Sequence, residues 1–408
     1  MASIGIVGGG LVGTAAAAWL LAEGHRVTVF ERHPDGRPAS AGNAGLIAVP
    51  EITPLARPGV LASVPGWLLD PLGPLAVRVR DLPYLAGFLR GFLAAARPGR
   101  IAAGTAALAG LNSTALADHQ ELARRAGLSG HIRRSGAFHI FETDAAYRSA
   151  KAEWTLKAEH GIDFHEVSVG EVRRHVPALA GPFSRAIFVP AYWAVSSPLA
   201  ILEALRRRLG GRLQPREVVS LRSDPRTVAV ITAEGADIPF DRVIVAGGVW
   251  SRELVKGLDH SLPLVAERGH NTTFPNSAVE VPIPCFFAEH GFCATDLADG
   301  LRIGGAVELA APETAPNFAR AAAMRKKARR FLPDLPEAGG IEWMGSRPSL
   351  PDSLPVIGPD PRDPRILHAF GHGHLGLTQS AVTARLLAGM IAGRTDPVAE
   401  PFRIERFA

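Results

Sequence analysis

Two cysteines, Cys285 and Cys293, are all the thiol chemistry in this 408-residue chain. So few exclude a disulfide scaffold and fit a reducing compartment. Their spacing matches no zinc or redox motif, so they read as small buried residues. No stretch runs to the roughly 18 uninterrupted apolar residues that a transmembrane helix needs. The apolar N-terminus lacks the basic region of a signal peptide. The chain therefore reads as cytoplasmic, or at most peripheral on the inner face of a membrane. No Arg/Lys block with interleaved aromatics appears, which argues against nucleic acid. Arg325, Lys326, Lys327, Arg329 and Arg330 read as one solvated helix face. Repeats, low-complexity tracts, a P-loop, a Ser-His-Asp order and a paired-carboxylate motif are also missing.

What is present is a chain long enough for two domains, 47% hydrophobic and 20% charged, with a net charge of +5. That mild excess weakly favours anionic substrates or a membrane surface. The most informative stretch is the start. Residues 4–7 form an apolar β-run, followed by Gly8, Gly10 and Gly13 in G-x-G-x-x-G spacing. A small-residue helix spans 14–23, stops at Gly24, and gives way to a strand over 26–30 that ends at Glu31.

Each part has a physical reason. Gly8 permits the tight strand-to-helix turn, Gly10 lets backbone amides reach a pyrophosphate, and Gly13 with Ala17 lets the helix sit close on the sheet. The helix N-terminus offers unpaired N–H groups and a positive dipole end. Glu31 stands where a carboxylate accepts from ribose hydroxyls, which disfavours a 2′-phosphate. Together these specify a dinucleotide-binding βαβ unit.

Beyond Glu31, the Gly/Asn cluster at 41–45 reads as a ligand-lining loop. Residues 50–100 are rich in Pro, Gly and Leu, and 82–93 is an apolar helix candidate. It is either a lid packed on the core or a patch for membrane or electron-acceptor contact. Helices are expected over 102–126, 144–159, 169–175, 197–209 and 319–331, and a single strand over 132–141. Residues 241–251 form a buried strand running into Gly247 and Gly248. Strands between 263 and 308 read as an antiparallel sheet, the core of a second domain. Near the end, a strand over 366–370 runs into the glycine-rich segment 371–378, which opens a helix. This is a second anion-stabilising helix start, far from the first in sequence.

With these motifs the chain resembles the D-amino-acid oxidase/glycine oxidase superfamily of FAD-dependent oxidoreductases over essentially its whole length. The resemblance rests on the three early glycines, Glu31 and Arg32, the 41–45 loop, Ala246-Gly247-Gly248, Arg347-Pro348 and segment 371–378. Residues 65–71, 347–358 and 371–378 are most similar to bacterial D-amino-acid dehydrogenases, with D-hydroxyproline dehydrogenases the nearest subgroup. It implies α/β plus α+β architecture: a Rossmann-like FAD-binding domain with a mixed antiparallel-sheet substrate domain, the glutathione-reductase type of FAD fold. Residues 1–85, 197–260 and 345–408 would form the first domain, and 86–196 with 261–344 the second.

The resemblance also implies roles. Gly8, Gly10, Leu11, Val12 and Gly13 would hold the pyrophosphate of FAD, and Glu31 and Arg32 the adenosine end. Gly42, Asn43, Ala44 and Gly45 would lie by the isoalloxazine, and Val218 near the adenine. Ala246, Gly247 and Trp250 would flank the pyrophosphate. Gly373, His374, Leu375, Gly376, Leu377 and Thr378 would meet the flavin pyrimidine edge. Arg347 would grip a substrate carboxylate in bidentate fashion. Where the family often has a tyrosine after Arg-Gly, this chain has His270.

The implied reaction is dehydrogenation of a D-amino acid or cyclic imino acid, by hydride transfer from Cα to flavin N5. Electrons would pass to a quinone or another acceptor. An oxygen-using glycine-, D-amino-acid- or sarcosine-type oxidase is the close alternative. A non-catalytic flavoprotein subunit or assembly factor, using the apolar 84–93 stretch for its partner, is the distant one. An amine must be neutral to donate hydride, so His270, His290 and His374 are candidate bases, with Tyr192 and Trp193 as walls. Each single histidine is more readily a satisfied structural residue. His372-x-His374 has no accompanying carboxylate, so no metal is expected.

Overall fold

The computed structural model describes residues 1–61, 66, 73, 75–128 and 130–408. Apart from Gly66, the 65–71 stretch that carried part of the resemblance lies outside the described residues.

The apolar, β-branched runs build a six-stranded sheet in the order Leu213–Gln214, Arg26–Phe30, Ser3–Val7, Arg242–Val245, Ile366–Phe370, Val356–Pro359. The first five are parallel and the last is antiparallel. Parallel strands need cover on both faces. One cover is the helix Leu11–Ala22, whose Ala15, Ala16, Ala17 and Ala18 are all buried. These small side chains let it lie against the C-terminal helix Gly376–Ile391, so the first and last helices of the chain become neighbours. A Cβ on Gly13 would sit 2.0 Å from the Gly8 carbonyl oxygen, so only glycine allows that approach.

A nine-stranded mixed sheet forms the second layer. Its order is Ile341–Ser349, Val265–Phe274, Gly300–Leu309, Phe292–Leu297, Cys285–Phe287, Ala137–Phe141, Arg185–Val189, His165–Val167, with Leu75–Val77 paired to Gly300–Leu309. Two domain expectations change here. Ile341–Ser349 runs straight through the expected boundary at 345, and Leu75–Val77 joins the second sheet although 1–85 was assigned to the first domain. The first pairs with Val265–Phe274 and the second with Gly300–Leu309, and pairing overrides the composition shifts that suggested the boundaries.

Two long elements are each divided. The expected strand over 132–141 breaks at Gly136, whose φ of +60 turns the chain. Ile132–Arg134 joins a small sheet with Tyr192–Val195 and Leu46–Ala48, while Ala137–Phe141 joins the large one. The expected helix over 102–126 is two helices, Pro98–Ser113 and Ala115–Ala126. At the junction, the Thr114 hydroxyl donates to Asp118 Oδ2 at 2.8 Å and the Thr114 carbonyl accepts from the Asp118 N–H at 2.9 Å, so the second helix starts on Thr114.

One buried polar knot ties the crossover between layers. Nε2 of His260 and of His368 both lie on Asp360 Oδ2, at 2.7 and 3.0 Å. Burial alone would raise the Asp360 pKa, but the bonds from His368, the Arg362 N–H and His260 hold it well below the usual carboxylate range. A carboxyl lowered in the folded state stabilises above its unfolded pKa, near ~3.9, and that stability is lost as pH falls through the folded value. Burial also lowers the pKa of His368, so protonation of this ring favours unfolding in acid. Asp360→Asn should therefore lose about 2 kcal/mol at neutral pH, measured by denaturant titration, and the gap to wild type should close in strong acid.

Candidate active site

The nucleotide end is built by close backbone approach. Gly8 has φ +116, and a Cβ there would fall 2.3 Å from the Ala246 carbonyl oxygen. Gly10 is different: its φ is −73, and an added Cβ would meet only Ser40 Oγ, at 3.7 Å. Its bareness therefore serves open space rather than packing. The helix Leu11–Ala22 has no side-chain N-cap on Gly10, and its Leu11 N–H donates to Ser40 Oγ at 3.2 Å. Glu31 accepts from the N–H of Gly9 at 2.8 Å and of His33 at 3.0 Å. Arg32 lies 4.1 Å over the Trp250 ring and pairs with Glu217. Arg206, which sequence reasoning missed, donates to the carbonyls of Gly9 at 3.0 Å and Gly36 at 3.3 Å and to Pro34. It stands in a run of three arginines, and only helix phase selects the one that turns inward.

The 41–45 loop is held from below. Buried Arg302 donates to the carbonyls of Ala41 at 3.3 Å and Asn43 at 2.5 Å, and Asn271 donates to Gly42 at 2.9 Å. Gly42 leaves room for Trp343, whose ring would lie 2.1 Å from a Cβ there. Asn43 Oδ1 accepts from Gly45 N–H at 2.9 Å, and its Nδ2 reaches the His374 carbonyl at 3.5 Å. The early loop thus touches the late one.

That late loop turns through Gly371 and Gly373, both at positive φ, into a short turn Gly373–Leu375 and the helix Gly376–Ile391, again without a side-chain cap. The Thr378 hydroxyl accepts from Ala48 N–H at 2.9 Å, bracing the strand after the Asn43 loop. His372 is buried on Thr383 at 3.0 Å, and burial pushes its pKa down to about 3. It is a neutral internal residue.

One cavity of about 1470 Å³ joins all of this. Its lining includes Gly8, Gly10, Leu11, Val12, Glu31, Arg32, Gly42, Asn43, Ala44, Val218, Ala246, Gly247 and Trp250, together with residues 373–378. Gly13 and Gly45 do not line it; they pack under the helix and against Leu297. The two uncapped helix starts therefore open into the same space. The volume, the bare Gly10 and two helix starts whose N-cap residues make no side-chain cap fit an extended dinucleotide such as FAD.

Arg347 lines the same cavity. Its Nη1 donates to Glu267 Oε1 at 2.9 Å, and Ser349 Oγ donates to Glu267 Oε2 at 2.8 Å. Gly269 is glycine because a Cβ would strike the Arg347 Nη2 at 2.4 Å. Burial raises the Glu267 pKa, but Arg347, His374 and Ser349 outweigh it and keep the carboxyl ionised. Glu267 takes one of the five guanidinium donors and leaves the rest for a second anion. His374 lines the cavity nearby, and burial lowers its pKa, so its ring is neutral at working pH.

Three expected site residues move. His290 does not line the cavity; its Nε2 pairs with Glu142 at 2.8 Å beside the Phe331 ring, so it holds a surface turn. Tyr192 is fully buried behind the wall and donates to Glu51, which reaches the cavity in its place. Trp193 packs against the dinucleotide-domain core. His270 does line the cavity, but three positions from Glu267 it projects from the other face of its strand, edge-on to Phe318. Burial pushes its pKa down to about 4.

The sequence as a whole matches the DAO family, described as FAD dependent oxidoreductase, over residues 3–390. The chain belongs to this FAD-dependent oxidoreductase family. It is 34% identical over 416 residues to a D-amino-acid oxidase of Bradyrhizobium diazoefficiens, spanning 99% of this chain and 98% of that one. To D-amino acid dehydrogenase 2 of Ralstonia nicotianae it is 30% identical, spanning 99% and 100%. Glycine oxidase of Geobacillus kaustophilus shares the fold with a TM-score of 0.75 at 21% identity, covering 100% of this chain and 99% of that one. L-proline dehydrogenase of P. horikoshii does so with a TM-score of 0.73 at 18% identity, covering 99% and 97%. The cofactor of the family is FAD. Among the described residues no helix is long and apolar enough to cross a membrane.

Proposed function

We propose that this oxidoreductase dehydrogenates a D-amino acid or a cyclic imino acid at Cα. The observation that supports this most is Arg347: a cationic group held by Glu267 and Ser349 in the same cavity as both uncapped helix starts. The names of the two sequence relatives point the same way. Bound FAD supplies the two-electron acceptor. Arg347 binds the substrate carboxylate and so fixes which bond of the substrate faces the middle of the cavity. Neutral His374 lies close enough to feel Glu267 and Arg347, where it takes a proton from the substrate nitrogen or passes one outward. Apolar side chains, among them Phe141, Trp154 and Phe286, exclude water around the reacting carbon.

The acceptor divides into two readings. Leu82, Leu89, Phe92 and Leu93 of the helix Leu82–Ala95 line the cavity, and Leu82, Leu93 and Val79 just before the helix are also exposed to solvent. This apolar mouth, beside exposed Arg80, favours a quinone-like acceptor reached from a membrane surface. The 34% identical relative named as an oxidase favours oxygen. Anaerobic mixing with a panel of D-amino acids and cyclic imino acids should bleach the flavin; no bleaching with any amine would overturn the proposal. Reoxidation then separates the acceptors: a quinone analogue fast and air-saturated buffer slow, or the reverse.

A further inference from the structure

Beyond Arg347, the cavity holds a second fixed charge that no part of this reading uses. Glu51 follows the strand Leu46–Ala48, and its N–H donates to the Ala48 carbonyl at 3.0 Å. The Asn112 side chain donates to the Glu51 carbonyl at 3.0 Å, so the backbone is clamped on both sides. Its carboxylate is held asymmetrically. Oε1 accepts from the Tyr192 hydroxyl and also lies 3.4 Å from Lys157 Nζ. Oε2 has no partner among the described residues and is not among the sealed buried oxygens, while Glu51 lines the cavity with its side chain 25% exposed.

The other carboxylates nearby are spoken for. Glu267 spends both oxygens on Arg347 and Ser349. Glu153 is paired with Arg57 at 2.9 Å and with Lys157 at 3.4 Å. Lys157 itself is buried over the Trp154 ring and cannot swing away. One acceptor oxygen, anchored from behind, is thus left facing the same cavity as Arg347. His374 lies within electrostatic reach of both: Glu51 and Glu267 raise its proton affinity while Arg347 and Lys157 lower it.

We infer that Glu51 Oε2 receives the substrate's ammonium group, so that Arg347 and Glu51 together bind the two charges of a zwitterionic amino acid. The inference rests on the proposed amino-acid reading and adds to it the group that distinguishes an amino acid from a plain carboxylic acid. The groups facing Glu51 are Lys157, His139, Tyr192 and His374. Burial raises its pKa, but Lys157, His139, Tyr192 and His374 bring it down to about 2. Glu51 is therefore an anion at any working pH and serves as an anchor, not as the base. An anion beside the ammonium also favours its charged form, so Glu51 gains affinity while holding back deprotonation of the nitrogen.

That trade-off gives the test. In the holoenzyme, anaerobic stopped-flow reduction against D-amino-acid concentration yields Kd and the limiting rate. Propanoate, which lacks the amine, is titrated by its perturbation of the flavin spectrum. Glu51→Gln should weaken amino-acid binding about tenfold or more and change propanoate binding less than about twofold. The acid limb of the limiting rate should move to lower pH, because the neighbouring negative charge is gone. Equal losses for both ligands, or no loss for the amino acid, would overturn the inference while leaving the reading intact. Should Glu51→Gln take up no flavin, Glu51→Asp is read by the two binding constants alone, since it withdraws the oxygen by one methylene but keeps the charge that sets the acid limb. Wild-type protein that binds propanoate yet is not bleached by any amine would sink the reading, and this inference with it.

Discussion

Arg347→Ala should leave the protein folded and yellow while raising the substrate KM roughly a hundredfold. The side chain lies at the cavity wall, half-buried, with Glu267 taking only one of its donors. Loss of two charge-assisted bonds to a carboxylate removes about 3 kcal/mol of binding, which corresponds to that factor. Flavin retention follows because the glycine turn and the start of Leu11–Ala22 are braced by Glu31, Arg206 and Ser40, while the bond from Arg347 goes to Glu267. Arg347→Lys should recover only part of the loss, because an ammonium cannot present two parallel donors. Steady-state kinetics with flavin content measured on the same sample checks this; an unchanged KM would remove Arg347 from the substrate site.

Gly10→Val should produce the opposite pattern: a stable fold that has lost most of its affinity for FAD. The backbone at Gly10 is extended, with φ −73 and ψ −176, and suits any residue. A new Cβ would meet nothing nearer than Ser40 Oγ at 3.7 Å, so unfolding should change by less than about 0.5 kcal/mol. The branched side chain would instead stand in the space in front of the helix start, where backbone donors must come within hydrogen-bond distance of the pyrophosphate. Affinity should fall at least about a hundredfold by titration of apoprotein with FAD. Gly13→Val is the contrast: its Cβ would lie 2.0 Å from the Gly8 carbonyl, so that variant should fail at folding.

How much of this was readable in the chain follows from the range of the interactions. The βαβ unit was legible because strand, turn glycines, helix and Glu31 are contiguous, and each imposes a local geometric demand. The late helix start at 376 was legible for the same reason. Gly136 was not: a single glycine at φ +60 sends two halves of one apolar run into different sheets, and nothing local shows that Phe188 and Tyr192 wait on either side. His290 and Tyr192 carried the right chemistry in the wrong place, because strand register decides which side of a wall a residue occupies. Glu51, Glu267, Arg302 and Arg206 were overlooked for the complementary reason. Each looks like an ordinary surface charge until a partner far away in sequence closes on it, as Lys157, Arg347, the 41–45 loop and the Gly9 carbonyl do here.

The most direct measurement is a crystal structure of the protein after saturation with FAD. One FAD per chain is expected, its pyrophosphate at the N-terminus of Leu11–Ala22 and its pyrimidine edge at the N-terminus of Gly376–Ile391. A protein that takes up no flavin, or a flavin that touches only one of those two helix starts, would contradict the account.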